Sequence, residues 1–148
     1  MNRSFRSLRN TRRAFTIIEV IVIVVIIGVI AAVVTPRLFS KVTESKKSMA
    51  QSNAATLFQA MQTYSLDCGM PEPGSSIRIL LERPSNVDEG AWKGPYVQNE
   101  NDLKDPWGNY FNLVVPGQFN VDFDIVSYGK DGQPDGEGEN EDIISGKR

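Results

Sequence analysis

The sequence predicts an α+β fold in which one long N-terminal α-helix packs on a small antiparallel β-sheet. The helix is predicted by an apolar run from Phe15 to Val34 that passes directly into a stretch with amphipathic helical spacing. The sheet is predicted by two short segments, residues 110–115 and 121–128, which carry strand-forming residues between turn residues. With 148 residues, the chain is long enough for a membrane anchor followed by one small domain.

The apolar run is about 20 residues long, and as a helix it spans roughly 30 Å, the thickness of a bilayer core. Ahead of it, the basic leader contains Arg3, Arg6, Arg9, Arg12 and Arg13 and no acidic residue. This positive charge favours a cytoplasmic N-terminus, so the C-terminal domain is expected outside the cytoplasm. The chain is therefore predicted to cross a membrane once.

Glu19 distinguishes this run from simpler N-terminal segments. A secretory signal peptide shares the basic start, but it does not explain a carboxylate inside the apolar run, and no A-x-A cleavage site follows. A plain signal anchor fits the length and the charge. It also leaves Glu19 unexplained, because an ionised carboxylate in lipid is costly unless it is paired. Glu19 is therefore expected to need a partner.

The helix is expected to continue past Val34 to about Leu66, because apolar residues recur at helical spacing. Pro36 removes one backbone hydrogen bond and is expected to kink the helix. The whole helix would then contain about 50 residues and measure on the order of 75 Å. Two separate helices broken at Pro36 are the alternative.

After the helix, residues 68–95 are rich in Gly, Pro, Ser and Asn and are expected to form a structured connector. Within it, the apolar stretch from Ile77 to Leu81 is predicted to form a helical turn packed on the long helix. The sequence Asp105-Pro106-Trp107-Gly108-Asn109 is predicted to form a turn before the first strand.

The two predicted strands are joined by Pro116-Gly117 and are expected to form an antiparallel hairpin. In the second strand, alternation places Val121, Phe123 and Ile125 on the face that packs on the helix. The same alternation places Asp122 and Asp124 on the solvent face.

The composition excludes several classes of function. The formal net charge of −2 becomes about −7 once the five leader arginines are subtracted, and an acidic domain without a basic stripe is unsuited to nucleic acid. A single cysteine, Cys68, excludes an intrachain disulfide. The absence of histidine removes the commonest general base and metal ligand, so an enzyme is not expected.

The segment from Asp131 to Asp142 is a candidate calcium-binding loop. Its six carboxylates and Gly-rich backbone supply the hard oxygen ligands that Ca²⁺ prefers. The spacing partly matches an EF-hand loop, but the sequence predicts no flanking helices, so an EF-hand is not expected. The alternative is a solvated acidic loop that binds nothing.

The N-terminal features together resemble the class III signal of type IV pilins and pseudopilins. These features are the basic leader, Ala14, the sequence Phe15-Thr16-Ile17-Ile18-Glu19-Val20, the apolar span and Pro36. The resemblance implies that a membrane prepilin peptidase cleaves between Ala14 and Phe15 and that the new amine of Phe15 is methylated. It also implies that Glu19 pairs with the Phe15 amine of a neighbouring subunit during assembly. Ala14 stands where the family usually has glycine.

The soluble part resembles the major pseudopilin of type II secretion systems. The resemblance rests on Asp105-Pro106-Trp107-Gly108-Asn109, Pro116-Gly117, Phe123-Asp124-Ile125, Tyr128-Gly129 and Lys130-Asp131-Gly132. It implies a calcium ion bound by the side chains of Asp131, Glu141 and Asp142 and by the carbonyls of Tyr128 and Glu139. Glu141 replaces the usual aspartate, and the family's Gly-Asn-Trp is absent after Ile143.

The resemblance implies three parts: a cleaved cytoplasmic leader at 1–14, the transmembrane half of the helix at 15–35 and a periplasmic pseudopilin domain at 36–148. The implied function is structural, as a subunit of a periplasmic pseudopilus held in the inner membrane before assembly. Implied partners are further copies of the chain, other pseudopilins, the prepilin peptidase and the inner-membrane secretion platform.

Two other functions fit parts of the sequence. A type IV pilin for adhesion or motility shares the N-terminal features, but such pilins often close their C-terminal region with a disulfide, which the single Cys68 cannot form. A signal-anchored, calcium-dependent hydrolase would use a carboxylate pair such as Asp122 and Asp124. Alternation along the strand makes a solvated face the simpler explanation of that pair.

Overall fold

The structure is a computed structural model that describes residues 15–147, without the side chains of residues 36, 37 and 39. It contains one helix, α1 (Ile17–Cys68), and three strands, β1 (Asn112–Val114), β2 (Asp124–Ser127) and β3 (Ile143–Ile144). Short 3-10 turns lie at Ile77–Leu80, Glu100–Leu103 and Gly138–Asn140. Tertiary contacts divide the chain into two compact units, the first ending at Phe39 and the second beginning at Ser40.

Helix α1 contains 52 residues and is assigned without interruption across Pro36, so the alternative of two broken helices is wrong. In the first unit, its apolar side chains from Ile17 to Val34 are exposed, and its length and composition suffice to cross a membrane. The helix ends at Cys68, two residues beyond the expected position. Gly69 follows it with a φ of 84°, and its amide donates to the carbonyl of Ser65 at 3.0 Å, a common way to end a helix.

The core of the second unit forms on one face of α1. Its buried helical residues alternate at spacings of four and three, as one face of a helix requires: Ala50, Ala54, Leu57, Met61 and Tyr64. Against them pack apolar residues from the turns and strands: Ile77, Leu80, Leu103, Phe111, Leu113, Phe123 and Ile125. Each large side chain buried here contributes about 1.5–3 kcal/mol.

The predicted turn in the connector is confirmed as the 3-10 turn Ile77–Leu80. Ser76 caps it, because the hydroxyl oxygen of Ser76 accepts a hydrogen bond from the amide of Arg78 at 3.3 Å. Ile77 and Leu80 are both buried in the core cluster.

The predicted turn before the first strand is also confirmed, and Asp105 organises it. Its Oδ1 accepts from the amides of Trp107 and Asn109 at 3.0 and 2.9 Å, and its Oδ2 accepts from the Ser127 hydroxyl at 2.7 Å. Gly108 supplies the positive φ of 97° that the turn requires. This turn therefore also holds the end of β2.

The predicted antiparallel hairpin is confirmed, but its strands are shorter than predicted. β1 pairs with β2, with Leu113 opposite Ile125. β3 adds a third antiparallel strand, with Ile143 opposite Ser127, and the sequence did not predict it. Outside β1, Tyr110 forms only an isolated bridge with Lys104, so the ladder begins later than expected.

The prediction for the faces of the second strand is right for Phe123 and Ile125 and wrong for Val121 and Asp124. Val121 is 92 % exposed, because residues 117–123 form a turn that precedes the strand. Asp124 is only 1 % exposed, and Val126 on the same face is also buried. Both faces of β2 are covered, so alternation does not produce a solvent face.

The acidic loop folds tightly against itself at two glycines, and no helix longer than a 3-10 turn flanks it within the described chain. A β-carbon at Gly129 would lie 2.7 Å from the carbonyl oxygen of Glu139. A β-carbon at Gly136 would lie 2.4 Å from the carbonyl oxygen of Asn140. Both residues also have positive φ, so only glycine fits this close approach of two backbones.

Candidate functional site

The first candidate site is the start of α1. Thr16 caps the helix, because its hydroxyl oxygen accepts from the amide of Glu19 at 3.2 Å and its carbonyl accepts from the amide of Val20 at 3.2 Å. Residues 16–19 carry the capping-box pattern Thr-x-x-Glu, a sequence signal for this cap that was not among the predictions. Ala14 lies outside the described residues, while Phe15 is exposed beside the cap.

Glu19 lies in the first turn of α1, where the unpaired amides of the helix favour a negative charge. Among the side chains that the structure describes, no cationic group lies close enough to form an ion pair with it. Glu19 lies inside an apolar and exposed helical segment. Its carboxylate can therefore form an ion pair with a positively charged group of another molecule.

The second candidate site is the acidic loop, in which Asp142 carries the clearest signal. Its Oδ2 accepts from the amide of Asp135 at 3.1 Å, and its Oδ1 is buried without a hydrogen-bond partner in the described part of the chain. Asp135 has a φ of 66°, a left-handed conformation that presents its amide to Asp142. A cavity of about 150 Å³ lies on the face of the sheet that carries Asp124, and it is lined in part by Asp142, Asp135 and Tyr128.

The remaining predicted ligands lie apart from that cavity. Asp131 is exposed, and its Oδ1 accepts from the amide of Gln133 at 3.2 Å. The carbonyl of Glu139 accepts from the amide of Lys130 at 2.8 Å. Within the part of the chain that the structure describes, no three acidic, histidine or cysteine side chains are grouped closely enough to hold a metal ion.

Two of the acidic side chains contact lysines. The Glu139 carboxylate accepts from the ammonium of Lys130 at 2.7 Å, and this hydrogen bond lowers the pKa of Glu139. The Glu141 carboxylate forms an ion pair with Lys47 on α1, and the hydrogen bond and charge of Lys47 lower the pKa of Glu141. The structure therefore brings Asp142 and Tyr128 together and directs Glu141 elsewhere.

The Asp122 and Asp124 pair is not a catalytic site. Asp124 lies under the turn before β2, where its oxygens accept four hydrogen bonds from three residues. Burial raises the pKa of Asp124, but the hydrogen bonds from Phe119, Asn120 and Gln118 outweigh it and lower the pKa below its ordinary value. The carboxylate is thus held ionised as a structural acceptor.

Cys68, at the end of α1, belongs to a polar cluster and is half-buried. Its sulfur lies 3.7 Å from the hydroxyl of Tyr96, which donates to Asp67 at 3.0 Å. Asp67 also pairs with Lys93 at 2.8 Å. The cluster ties the connector to the end of the helix.

Comparison with protein families matches nearly the whole chain. Residues 37–146 match the model described as type II secretion system protein G. Residues 9–35 match the model described as a prokaryotic N-terminal methylation motif. The two matches meet near Pro36, where the apolar span gives way to the amphipathic half of the helix.

Individual proteins agree with these models. A Vibrio cholerae protein named type II secretion system core protein G is 33 % identical over 131 residues, covering 87 % of this chain and 88 % of that protein. Its Pseudomonas aeruginosa namesake is 32 % identical over 138 residues, covering 91 % and 95 %. The crystal structure of the major pseudopilin from the type 2 secretion system of enterohaemorrhagic Escherichia coli is similar with a TM-score of 0.61 at 27 % identity, covering 72 % of this chain and 87 % of that one. The chain therefore belongs to the family of type II secretion system protein G, the major pseudopilins.

Proposed function

We propose that this chain is the repeating subunit of a periplasmic pseudopilus in type II secretion and that it assembles through α1. As a member of its family with an N-terminal methylation motif, the protein is non-enzymatic and anchored in the inner membrane, with its domain in the periplasm. The observation that carries the proposal is the composition of α1. One uninterrupted helix joins an exposed apolar half to a half that forms the core of the domain.

The apolar half can exchange one environment for another. Its side chains from Ile17 to Val34 are exposed in a single subunit, so either lipid or the same segments of other subunits can cover them. Helices that leave lipid and stack on one another lose no apolar contact. For a filament that grows from membrane-held subunits, the remaining requirement is that the Glu19 carboxylate finds a compensating positive charge when the helices stack.

We propose that leader removal between Ala14 and Phe15 provides this positive charge. The cut leaves the charged amine of Phe15 immediately before the helix cap at Thr16. A Glu19 carboxylate of one subunit then pairs with the Phe15 amine of the next, because each charge compensates the other away from water. Methylation converts this primary amine into a secondary amine, which keeps its positive charge.

We further propose that the acidic loop binds one Ca²⁺ ion. The residues present fit this ion in the chemistry of their donors, which are all oxygens, and in the buried Oδ1 of Asp142, which has no hydrogen-bond partner among the described residues. Asp142 and Tyr128, which lie together at the small cavity, would hold it, and Asp131 and the carbonyl of Glu139 are the further ligands that the family resemblance implies. Bound calcium would offset the repulsion among the loop carboxylates.

Gene deletion in the source bacterium tests the function. We expect secreted proteins to accumulate in the periplasm without the chain and to reach the medium again when the gene is restored. A periplasmic marker enzyme that is not secreted serves as the control for leakage. If secretion is unchanged while surface pili are lost, the chain is instead a type IV pilin.

A further inference from the structure

Three polar side chains on one face of α1 contact the C-terminal segment in the order of its sequence. They are spaced by four residues, so they lie above one another along the helix. We call them the docking strip. The pairs are Thr43 with Glu139, Lys47 with Glu141, and Gln51 with the carbonyl of Ile144.

The contacted segment leaves the 3-10 turn Gly138–Asn140 and is extended at Glu141. Its contact points, Glu139, Glu141 and Ile144, meet successive turns of α1 in sequence order. The outer contacts have ordinary lengths, 3.3 Å at Thr43 and 3.1 Å at Gln51.

The docked segment is held by these polar contacts more than by apolar burial. None of the residues from Gly138 to Asp142 is buried, and the first buried side chain after them is Ile143. Lys130 also contributes, since its ammonium and its amide both donate to Glu139, one to the carboxylate and one to the carbonyl.

Glu141 and its neighbour Asp142 point in opposite directions. The backbone at Glu141 is extended, with φ −65° and ψ 136°, so successive side chains project to opposite sides. Glu141 consequently contacts Lys47 on the helix, while Asp142 contacts the amide of Asp135 beside the small cavity. One metal ion beside Asp142 is on the wrong side of the backbone for Glu141.

We propose that Glu141 is not a calcium ligand but a positioning residue, which docks the loop on α1 through Lys47 and thereby places Asp142 for the ion. This inference rests on the calcium site proposed above. It assigns Glu141 and the docking strip a role that differs from the ligand role implied by the family resemblance. Calcium binding and the packing of the C-terminal segment on the helix are thereby coupled.

A charge exchange separates a positioning role from a ligand role. The full chain in detergent micelles is titrated with Ca²⁺, and binding is measured by calorimetry. Glu141→Lys should weaken binding, and the double variant Lys47→Glu with Glu141→Lys should restore it to within about two- to fivefold of the original, the range of an exposed ion pair. Glu82→Ala, which removes another exposed carboxylate paired with a basic side chain, should leave binding unchanged.

If Glu141 is a ligand, the double variant places a cation in the site and binds calcium no better than Glu141→Lys, which overturns the proposal.

Hydrogen exchange with a chelator present gives a second readout that needs no metal. Glu141→Ala should accelerate exchange at the Lys130 amide, whose acceptor is the carbonyl of Glu139. Unchanged exchange there would refute the docking role. A wild-type chain that binds no calcium would refute the positioning role and leave the pseudopilus function standing.

Discussion

The side-chain amide of Asn120 donates to Asp124 at 2.7 Å, and the two residues close the turn that precedes β2. The backbone amides of Gln118, Phe119 and Asn120 donate to the same carboxylate at 2.6, 2.7 and 2.8 Å. All four donors converge on one buried side chain. The hairpin therefore depends on a carboxylate that could not be replaced by an amide without setting one N–H group against another.

We predict that Asp124→Asn lowers the free energy of unfolding by about 1–3 kcal/mol, because it removes acceptors from buried donors. The measurement is chemical denaturation of the full chain in detergent micelles, followed by tryptophan fluorescence. Asp122→Asn is the matched control, since Asp122 is exposed and should change stability little. Equal stability of the two variants would contradict this role of Asp124.

The lowered pKa of Asp124 predicts how this difference depends on pH. A carboxyl whose pKa is lower in the folded state than in the unfolded state stabilises the fold above the unfolded value, near 4, and loses that contribution as pH falls further. The stability difference between wild type and Asp124→Asn should thus be constant from pH 7 to about pH 5 and shrink below about pH 4. Denaturation curves at pH 7, 5 and 3 measure it, and a difference that grows in acid would exclude this explanation.

The mature protein is predicted to begin at Phe15 with a methylated amine. Mass spectrometry of the native membrane protein measures both the start and the added methyl group. Ala14→Gly should be processed at the same bond, because both residues are small. A mature chain that retains Met1, or one that begins after Ala32, would contradict the prepilin-type leader.

Glu19→Ala is predicted to leave leader removal and membrane insertion intact and to reduce filament assembly strongly. A neutral span inserts at least as well as a charged one, and only the pairing with the Phe15 amine of a neighbour is lost. Overproduction of the chain followed by shearing and immunoblotting measures assembly, and mass spectrometry checks processing. Glu19→Asp keeps the charge and should retain more assembly than the alanine variant; equal assembly of all three proteins would remove the pairing argument.

Millimolar Ca²⁺ is predicted to raise the melting temperature of the full chain in detergent relative to a chelator. Binding to the native state alone stabilises by about 2.7 kcal/mol at a hundredfold excess over Kd, which for a domain of this size is about ten degrees. Mg²⁺ should substitute poorly, because it prefers a small octahedral site. Replacing Asp131 and Asp142 by alanine should abolish the shift, whereas Glu137→Ala should retain it. Identical melting with calcium and with chelator would indicate a solvated loop.

The long helix was predictable because its evidence accumulates over many residues. Apolar spacing from Ala50 to Tyr64 repeats through several turns, and the 3-10 turn at Ile77–Leu80 is marked by Ser76 and by an isolated apolar stretch. By contrast, β3 contains only Ile143 and Ile144, and two residues cannot display an alternation. It forms because β2 offers a free edge.

The errors at Asp124 and in the acidic loop have a common physical cause, which is contact between residues distant in sequence. The alternation of side chains along β2 predicted an exposed Asp124, because it assumes that one face of the sheet is exposed to solvent. In the structure, Pro134 and Asp142 lie on that face. The loop was recognised from its carboxylates. The direction of each side chain was not predictable, because it depends on partners such as Lys47, 94 positions away from Glu141.

The backbone contacts at Gly129 and Gly136 also decide where the protein can be labelled. An epitope or fluorophore inserted between these glycines and Asn140 would have to separate two backbone segments that lie in direct contact. Such an insertion would disrupt the fold. Around Gly90 the situation is the opposite, since a β-carbon there meets nothing within 4 Å and no residue from 82 to 90 is buried. Live imaging of filament growth should therefore begin with tags in the connector and leave the C-terminal third of the chain unmodified.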